Sequence, residues 1–429
     1  MRIAMLSAHS SPIARLGGKE AGGMNVYVRE LSRELGRRGV GVDIFTRSQE
    51  RGAPKVVALD RGVRVINLSA GPSAPYDKNW LPTYLPEFVN RVRCFADGQD
   101  LSYDLIHSHY WLSGEAALAL RRSWGAPVVH MFHTLGAMKN QVARAAEERE
   151  TGQRIEIERR LVAQADAIVA ATPLDRAQIV WSLGAEPGDI HVVPCGVDLR
   201  RFKPRDQGGA RAALDLPPPP HRLLLLVGRI EPLKGIDALI RAVALLLERH
   251  PEWRGSLTAL VVGGGAEGER SRWNAEQRRL DTLRCELGVA EAVRFAGAQP
   301  QERLPLYYAA ADIVTMPSHY ESFGMAALEG LACGRPVVAT SAGGPATILE
   351  ESVSGLLTPP DNHAALAARL ERLLADDRLR AEMGAAARER ARRFGWPSVA
   401  SQIMQVYRAT LDRTTVGRAL TLRSLAEAG

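Results

Sequence analysis

Ile313 to Thr340 reads I-V-T-M-P-S-H-Y-E-S-F-G-M-A-A-L-E-G-L-A-C-G-R-P-V-V-A-T, and this stretch decides the fold. I-V-T-M-P has the β-branched, apolar character of a strand, and P-V-V-A-T repeats it. Between them, Ser322-Phe323-Gly324 opens into a run of helix formers. Strand, loop, helix and second strand, followed by the Gly343-Gly344 turn, make a β-loop-α-β unit. Ligands bind beyond the carboxyl ends of strands in such units. Glu321 is expected where the loop becomes helix and Glu329 about two turns further in, an offset of roughly 80° at 3.6 residues per turn. Helix-start amides attract anions, and ionised carboxylates accept from hydroxyls. The segment therefore suits a nucleotide-linked sugar, with phosphate at the helix start and sugar hydroxyls on the acids. The plainer alternative is an amphipathic surface helix with two solvated glutamates.

Outward from this unit the same alternation runs along the chain. R-I-A-M-L-S-A is followed by a helical pattern from about Met24 to Arg38, then by V-G-V-D-I-F-T-R, V-R-V-I-N-L-S and Y-D-L-I-H-S-H-Y. Helices are expected over 112–123, 151–164 and 174–183, with strands between them. Residues 203–221, with Lys203-Pro204, Gly208-Gly209 and Pro217–Pro220, have the composition of a linker. A second series then starts at H-R-L-L-L-L-V-G-R-I, with helices expected over 235–249, 270–287, 302–311 and 362–375. Arg-rich amphipathic helices fill about 381–429. The class is α/β, two Rossmann-like domains facing a cleft.

The chain of 429 residues is long enough for two or three cores, and it contains no apolar run of transmembrane length. Cys94, Cys195, Cys285 and Cys333 lack the paired spacing of a zinc site or disulfide framework, which fits a reducing cytoplasm. The net charge of +7 suits phosphorylated ligands or an anionic membrane surface, and no interleaved aromatic pattern favours nucleic acid.

Three further features carry chemistry. His9 to Asn25, H-S-S-P-I-A-R-L-G-G-K-E-A-G-G-M-N, is a glycine-rich loop between strand and helix that lets backbone approach a ligand; it lacks the G-x-G-x-x-G spacing of a nicotinamide site. Gly228-Arg229-Ile230-Glu231-Pro232-Leu233-Lys234-Gly235 follows the first strand of the second domain, where Arg229 and Lys234 are placed to clamp a diphosphate. Tyr110 and Thr134 close two strands of the first domain, among His107, His109, His130 and His133. His-x-His on a strand faces one side, but a third close ligand is lacking, so a metal is disfavoured and His133 is read as facing the cleft.

Together, Arg229 and Lys234, E-S-F-G-x-x-x-L-E and A-C-G-x-P-V-V-A resemble the retaining glycosyltransferases of family 4, which have the GT-B fold, over nearly the whole chain. Within that family, A-G-G-M-N-V-Y-V, D-I-F-T-R, H-S-H-Y-W-L-S-G and H-T-L-G-A-M-K-N are most similar to enzymes that glycosylate inositol 3-phosphate, with similarity also to those acting on fructose 6-phosphate. The resemblance implies an acceptor domain over 1–202, joined by C-terminal helices from about 396, and a donor domain over 203–395. It implies a nucleotide-sugar donor, UDP-GlcNAc or UDP-glucose, with Mg2+ allowed but not required. Lys78, Tyr110, Thr134 and Arg154 would hold the acceptor phosphate, with His9 and Asn25 near its hydroxyls. Gly23 would approach the donor. Arg229 and Lys234 would bind its diphosphate, Glu321, Ser322, Phe323 and Gly324 its sugar, and Glu329 the ribose. The backbone carbonyl of His133 would face the reacting centre. Arg15 to Glu20 departs from the family's loop, so a phosphorylated acceptor is better supported than its identity.

Other readings stay open at this point: a phosphorylase or epimerase on the same fold, a sugar-nucleotide sensor, or a membrane-docked transferase with Arg29, Arg33, Arg37 and Arg38 on its surface helix. A homodimer also stays open.

Overall fold

The computed structural model describes residues 1–14, 22–72, 78–265, 270–271 and 273–427. The chain divides into two compact units. The first contains residues 1–14 and 23–194 and takes back the chain from Trp396 onward; the second contains Cys195–Gly395. Of the glycine-rich loop, residues 15–21 lie outside the described residues, so the readings on Gly17, Gly18 and Lys19 find no counterpart here.

The first unit is built on strands β1 (Arg2–Leu6), β2 (Gly41–Arg47), β3 (Val56–Asp60), β4 (Val63–Leu68), β5 (Leu105–His109), β6 (Val128–Met131), β7 (Ala167–Ala170) and β8 (Ile190–Val192). Their order in the sheet is β3-β4-β2-β1-β5-β6-β7-β8. All pairings are parallel except the β3–β4 edge hairpin. The inner strands β1, β5, β6 and β7 are almost wholly buried, as expected for a parallel sheet covered by helices on both faces. Phe45, Phe88, Phe95, Trp111 and Phe132 fill one layer of its core. The last helix, Trp396–Glu427, belongs to this unit: Tyr407 is fully buried with its hydroxyl 2.7 Å from His107 Nδ1, and Arg38 reaches Ser401 and the carbonyl of Pro397.

The second unit has an all-parallel sheet, β9 (Arg222–Val227), β10 (Leu257–Val262), β11 (Val293–Phe295), β12 (Ile313–Met316), β13 (Val337–Thr340) and β14 (Gly355–Thr358), in the order β11-β10-β9-β12-β13-β14. Each sheet has one point where the order reverses, between β1 and β5 in the first unit and between β9 and β12 in the second. Loops beyond the carboxyl ends of those strands diverge to opposite faces and leave a crevice. The sequence-selected loops follow these strands and their neighbours.

Three expectations are corrected. Residues 203–221 are not a loose linker: Asp206 caps a helix over Gln207–Ala212, and Arg211 is buried within it. Arg211 donates to the carbonyls of Ala310 (2.9 Å) and His221 (2.6 Å) and pairs with Asp312 at 2.9 Å. The helix expected over 270–287 is Ala275–Glu286, because Asn274 accepts from the Gln277 amide and caps it there. The helix expected from Glu321 begins only at Met325, because Gly324 has φ 104°, outside helical space. Glu321 therefore lies on the loop, and the 80° helical offset does not describe the pair.

Candidate active site

In the first unit, four sequence-selected residues come together around Arg154. Thr151 caps the helix Gly152–Gln164 by accepting from the Arg154 amide, which places Arg154 in the first turn. Its side chain is fully buried. Nε donates to Glu158 (2.7 Å), Nη1 to the Tyr110 hydroxyl (2.9 Å), and Nη2 to the carbonyl (2.7 Å) and Oγ1 (3.1 Å) of Thr134. The guanidinium stands 4.8 Å from the centre of the Tyr110 ring. Lys78 Nζ, from the turn Lys78–Tyr84, reaches the same hydroxyl at 3.3 Å. His9 lies against Tyr110 with ring centres 4.3 Å apart. Asn25 is fully buried and donates to Ser10 Oγ and the Ser11 carbonyl, both at 2.7 Å, which pins the loop after β1. Gly23 is the first residue of the helix Gly23–Arg37.

Two residues not singled out from sequence complete the cluster. Glu150 Oε1 lies 3.0 Å from Lys78 Nζ and 3.0 Å from Arg154 Nη1, and Lys139 bonds to the same oxygen. Burial opposes the Glu150 charge, but Arg154, Lys78 and Lys139 outweigh it and hold the carboxyl down to about 2. Burial pushes the Lys78 ammonium down, while Tyr110 and Glu150 more than restore it, so it is held above its ordinary value. Lys139 is held below its ordinary value by burial and the neighbouring Lys78. The cluster is cationic, desolvated and lined by hydroxyls.

The histidines form a separate buried set. His109 Nδ1 lies 3.0 Å from His133 Nε2, His107 Nδ1 meets Tyr407, and His130 Nδ1 is 2.8 Å from Ser108 Oγ. Burial pushes all four rings below the ordinary value, His107 and His133 to about 3, so they are neutral. Tyr110 (φ 73°) and His133 (φ 62°) both adopt left-handed backbone. Tyr110 directly follows β5 at the point where the order reverses, and His133 follows the neighbouring strand β6. Among the described residues no group of three or more His, Cys, Asp or Glu side chains is placed to hold a metal.

In the second unit, the loops after β9, β12 and β13 interlock. His319 N donates to Leu233 O at 2.9 Å, and Gly344 N donates to Glu321 O at 2.7 Å. Gly343, at φ 95°, pairs with Glu321 in an isolated bridge. A Cβ on Gly343 would strike the Glu321 carbonyl, and one on Gly344 would strike the Phe323 backbone. The glycine turn is thus what lets E-S-F-G approach. Lys234 Nζ and Glu321 Oε2 form an ion pair at 2.5 Å, and Arg229 pairs with Glu231 at 2.8 Å. Phe323 is buried edge-on to Phe394, and Ser322 is half-buried beside it. Glu329 is only 6% exposed, which excludes the solvated-helix alternative for it, and it accepts from the buried Tyr308 hydroxyl at 2.8 Å.

The family model "Glycosyltransferase Family 4" matches residues 21–201 and "Glycosyl transferases group 1" matches residues 215–390. A D-inositol 3-phosphate glycosyltransferase of Acidothermus cellulolyticus is 44% identical over 411 residues, covering 96% of this chain and 90% of that protein. One of Nocardiopsis dassonvillei is 42% identical over 422 residues, covering 98% of this chain and 96% of that protein. The chain belongs to glycosyltransferase family 4. Among solved structures, a sucrose-phosphate synthase from Thermosynechococcus elongatus superimposes with a TM-score of 0.87 at 34% identity, covering 96% of this chain and 99% of that one. HepE of Anabaena, solved in complex with UDP-glucose, shares the fold at a TM-score of 0.74 and 21% identity, covering 95% of this chain and 100% of that one. The glycosyltransferase has the two-unit α/β architecture of the GT-B fold.

The residues sequence reasoning missed in this glycosyltransferase are Lys139, Glu150 and Tyr308. Glu150, Arg154 and Glu158 recur at four-residue spacing, a signal that was present but indistinguishable from an ordinary charged helix face. The surface arginines read as a membrane face are tied down: Arg29 and Arg33 to Glu30, Arg37 and Arg38 to Glu34. No described helix is long and apolar enough to cross a membrane.

Proposed function

We propose that this glycosyltransferase moves an N-acetylhexosaminyl or hexosyl group from a UDP-sugar to inositol 3-phosphate, retaining the anomeric configuration. The observation that carries the acceptor class is the Arg154 cluster, in which the buried Arg154, the half-buried Lys78 and neighbouring hydroxyls bring together hydrogen-bonding groups suited to a phosphate. The relatives named for inositol 3-phosphate favour that polyol. Lys78, Tyr110, Thr134 and Arg154 bind its phosphate, with His9 and Asn25 toward its hydroxyls.

In this reading the second unit binds the donor. Arg229 and Lys234 meet the diphosphate, Glu321 and the Ser322-Phe323-Gly324 backbone the sugar, Glu329 the ribose, and Gly23 approaches from the glycine-rich loop. The Lys234–Glu321 pair keeps both charges partnered until the donor arrives. The bond from the anomeric carbon to the diphosphate oxygen breaks first, and the electron pair leaves with UDP. Arg229 and Lys234 stabilise that charge, a task in which one preorganised donor is worth about 3 kcal/mol. The acceptor hydroxyl attacks the same face, its proton passes to the departing phosphate, and the His133 carbonyl faces the cationic centre. Fixed cations then do what a metal would otherwise do. The four free cysteines suit a reducing cytoplasm.

The test is product formation from UDP-GlcNAc and inositol 3-phosphate, with the anomeric coupling read by proton NMR. An α-linked product is expected; an inverted product, or none with any phosphorylated acceptor, overturns the reading. The sucrose-phosphate synthase neighbour supports a second reading, UDP-glucose with fructose 6-phosphate, and the same assay with that pair separates the two.

A further inference from the structure

We propose that the Glu150 carboxylate is the resting occupant of the acceptor-phosphate subsite, that a phosphate dianion displaces it, and that Lys139 then becomes a further ligand of that phosphate. The proposal rests on the reading of the Arg154 cluster as the acceptor's phosphate site.

One carboxylate oxygen collects Lys78, Lys139 and Arg154, the cations a phosphate would need. Glu150 and Arg154 are buried, Lys78 and Lys139 half-buried, and the one carboxylate oxygen holds all three cations at one point. Its main chain is clamped on both sides by Asn140, which accepts from the Glu150 amide at 2.7 Å and donates to its carbonyl at 3.2 Å. The backbone is therefore anchored, and the side chain can swing out by rotation about its own bonds while the three cations stay. Glu158 does not share this freedom: it is fully buried and fixed by Arg154 Nε and by the Gly136 amide at 2.9 and 3.1 Å.

Charge decides which acceptors can make the exchange. With Glu158 ionised against Arg154, the three cations and two carboxylates leave a single positive charge; with Glu150 withdrawn they leave two, which a phosphate dianion balances. A neutral polyol offers nothing to replace the carboxylate. A monoanion replaces it charge for charge and must compete with a group tethered beside the site at high effective concentration. A dianion brings a second charge and three acceptor oxygens. Glu150 is thus a specificity-determining residue that also keeps the buried Arg154 and the half-buried Lys78 and Lys139 from being an uncompensated set of cations.

Calorimetric titration of inositol 3-phosphate into the full chain tests this, with UDP titration as the control for an intact second unit. Glu150→Gln is expected to bind inositol 3-phosphate about 10-fold tighter at pH 7.5. It should also lose less affinity at pH 5.5, where the ester, with a second pKa near 6, takes up a proton. Glu150→Asp keeps the charge but falls one methylene short, and is expected to bind with intermediate affinity; it carries the test if the Gln variant does not fold. Lys139→Met is expected to weaken binding about 10-fold. If neither Glu150 variant binds tighter, while Lys78→Ala and Arg154→Ala lose binding, the exchange is refuted and the phosphate site stands. If Lys78→Ala and Arg154→Ala bind as the parent does, the site assignment fails and the exchange fails with it.

Discussion

Arg154 has five N–H donors; its side chain makes four hydrogen bonds, to Glu158, the Tyr110 hydroxyl, and the carbonyl and hydroxyl of Thr134, and Nη1 also forms an ion pair with Glu150. A lysine there would offer one point charge in place of a fork. Removing the side chain altogether would strand Glu158 in the interior, at a cost of about 3–5 kcal/mol. Lys78, at the rim of the cluster, is the cleaner probe. Lys78→Ala is expected to raise the KM for inositol 3-phosphate about 10-fold or more while leaving the Kd for UDP unchanged; an equal loss of both would contradict the pocket assignment. Glu150 also carries a pH signature. Its carboxyl is held down to about 2 in the folded chain, against about 4.5 for a free one. A lowered folded value stabilises above the unfolded value and loses that contribution as pH falls through the folded one. Stability should therefore decline between about pH 5 and pH 2, and the decline should be shallower in Glu150→Gln when unfolding by denaturant is followed across that range.

At the scale of elements, the interlocked loops after β9, β12 and β13, proposed above to hold the donor, depend on backbone contact more than on side chains. The Gly343-Gly344 turn lies against the Glu321 carbonyl and the Phe323 backbone, so any side chain there must push the loops apart. Gly344→Ala is expected to weaken UDP binding by about 10-fold or more and to lower stability by about 1–3 kcal/mol, read by UDP titration and thermal unfolding. Unchanged affinity for UDP would show that the E-S-F-G loop does not form the donor site. Much of this was legible in the sequence, because Arg229, Lys234 and Glu321 all follow apolar strand runs, and a parallel sheet presents the ends of such strands together. What was not legible depended on distant partners. Pro217–Pro220 and the paired glycines look like linker until Arg211 finds the carbonyl of Ala310 and the carboxylate of Asp312, about a hundred residues on. Glu150 looks solvated within E-E-R-E-T-G-Q-R until the helix Gly136–Val142 brings Lys139 against it. Local composition reports how a segment would behave in water; most of both segments does meet water, and what it hides is that Arg211 and Glu150 do not.

At the scale of the molecule, the chain leaves the first unit at Pro194 and returns to it at Trp396, so the first unit is completed by residues synthesised after the whole second unit. Tyr407 is fully buried against His107, and Trp396 stands edge-on to Tyr27, with ring centres 5.6 Å apart. Removing this helix would open the apolar interior behind β5 to water and take from the His107 Nδ1 atom its hydroxyl partner. The second unit has its own sheet and core, in which Leu239, Ile240, Val243, Leu246 and Trp253 pack without help from that helix. A chain ending at Gly395 is therefore expected to keep UDP binding and to lose inositol 3-phosphate binding, with hydrogen exchange accelerated in β1, β5 and β6 but not in β9, β10 or β12. Retained binding of inositol 3-phosphate by the truncated chain would mean that the Arg154 cluster is held by the first 194 residues alone. Lost UDP binding would mean that the two units do not fold independently of one another.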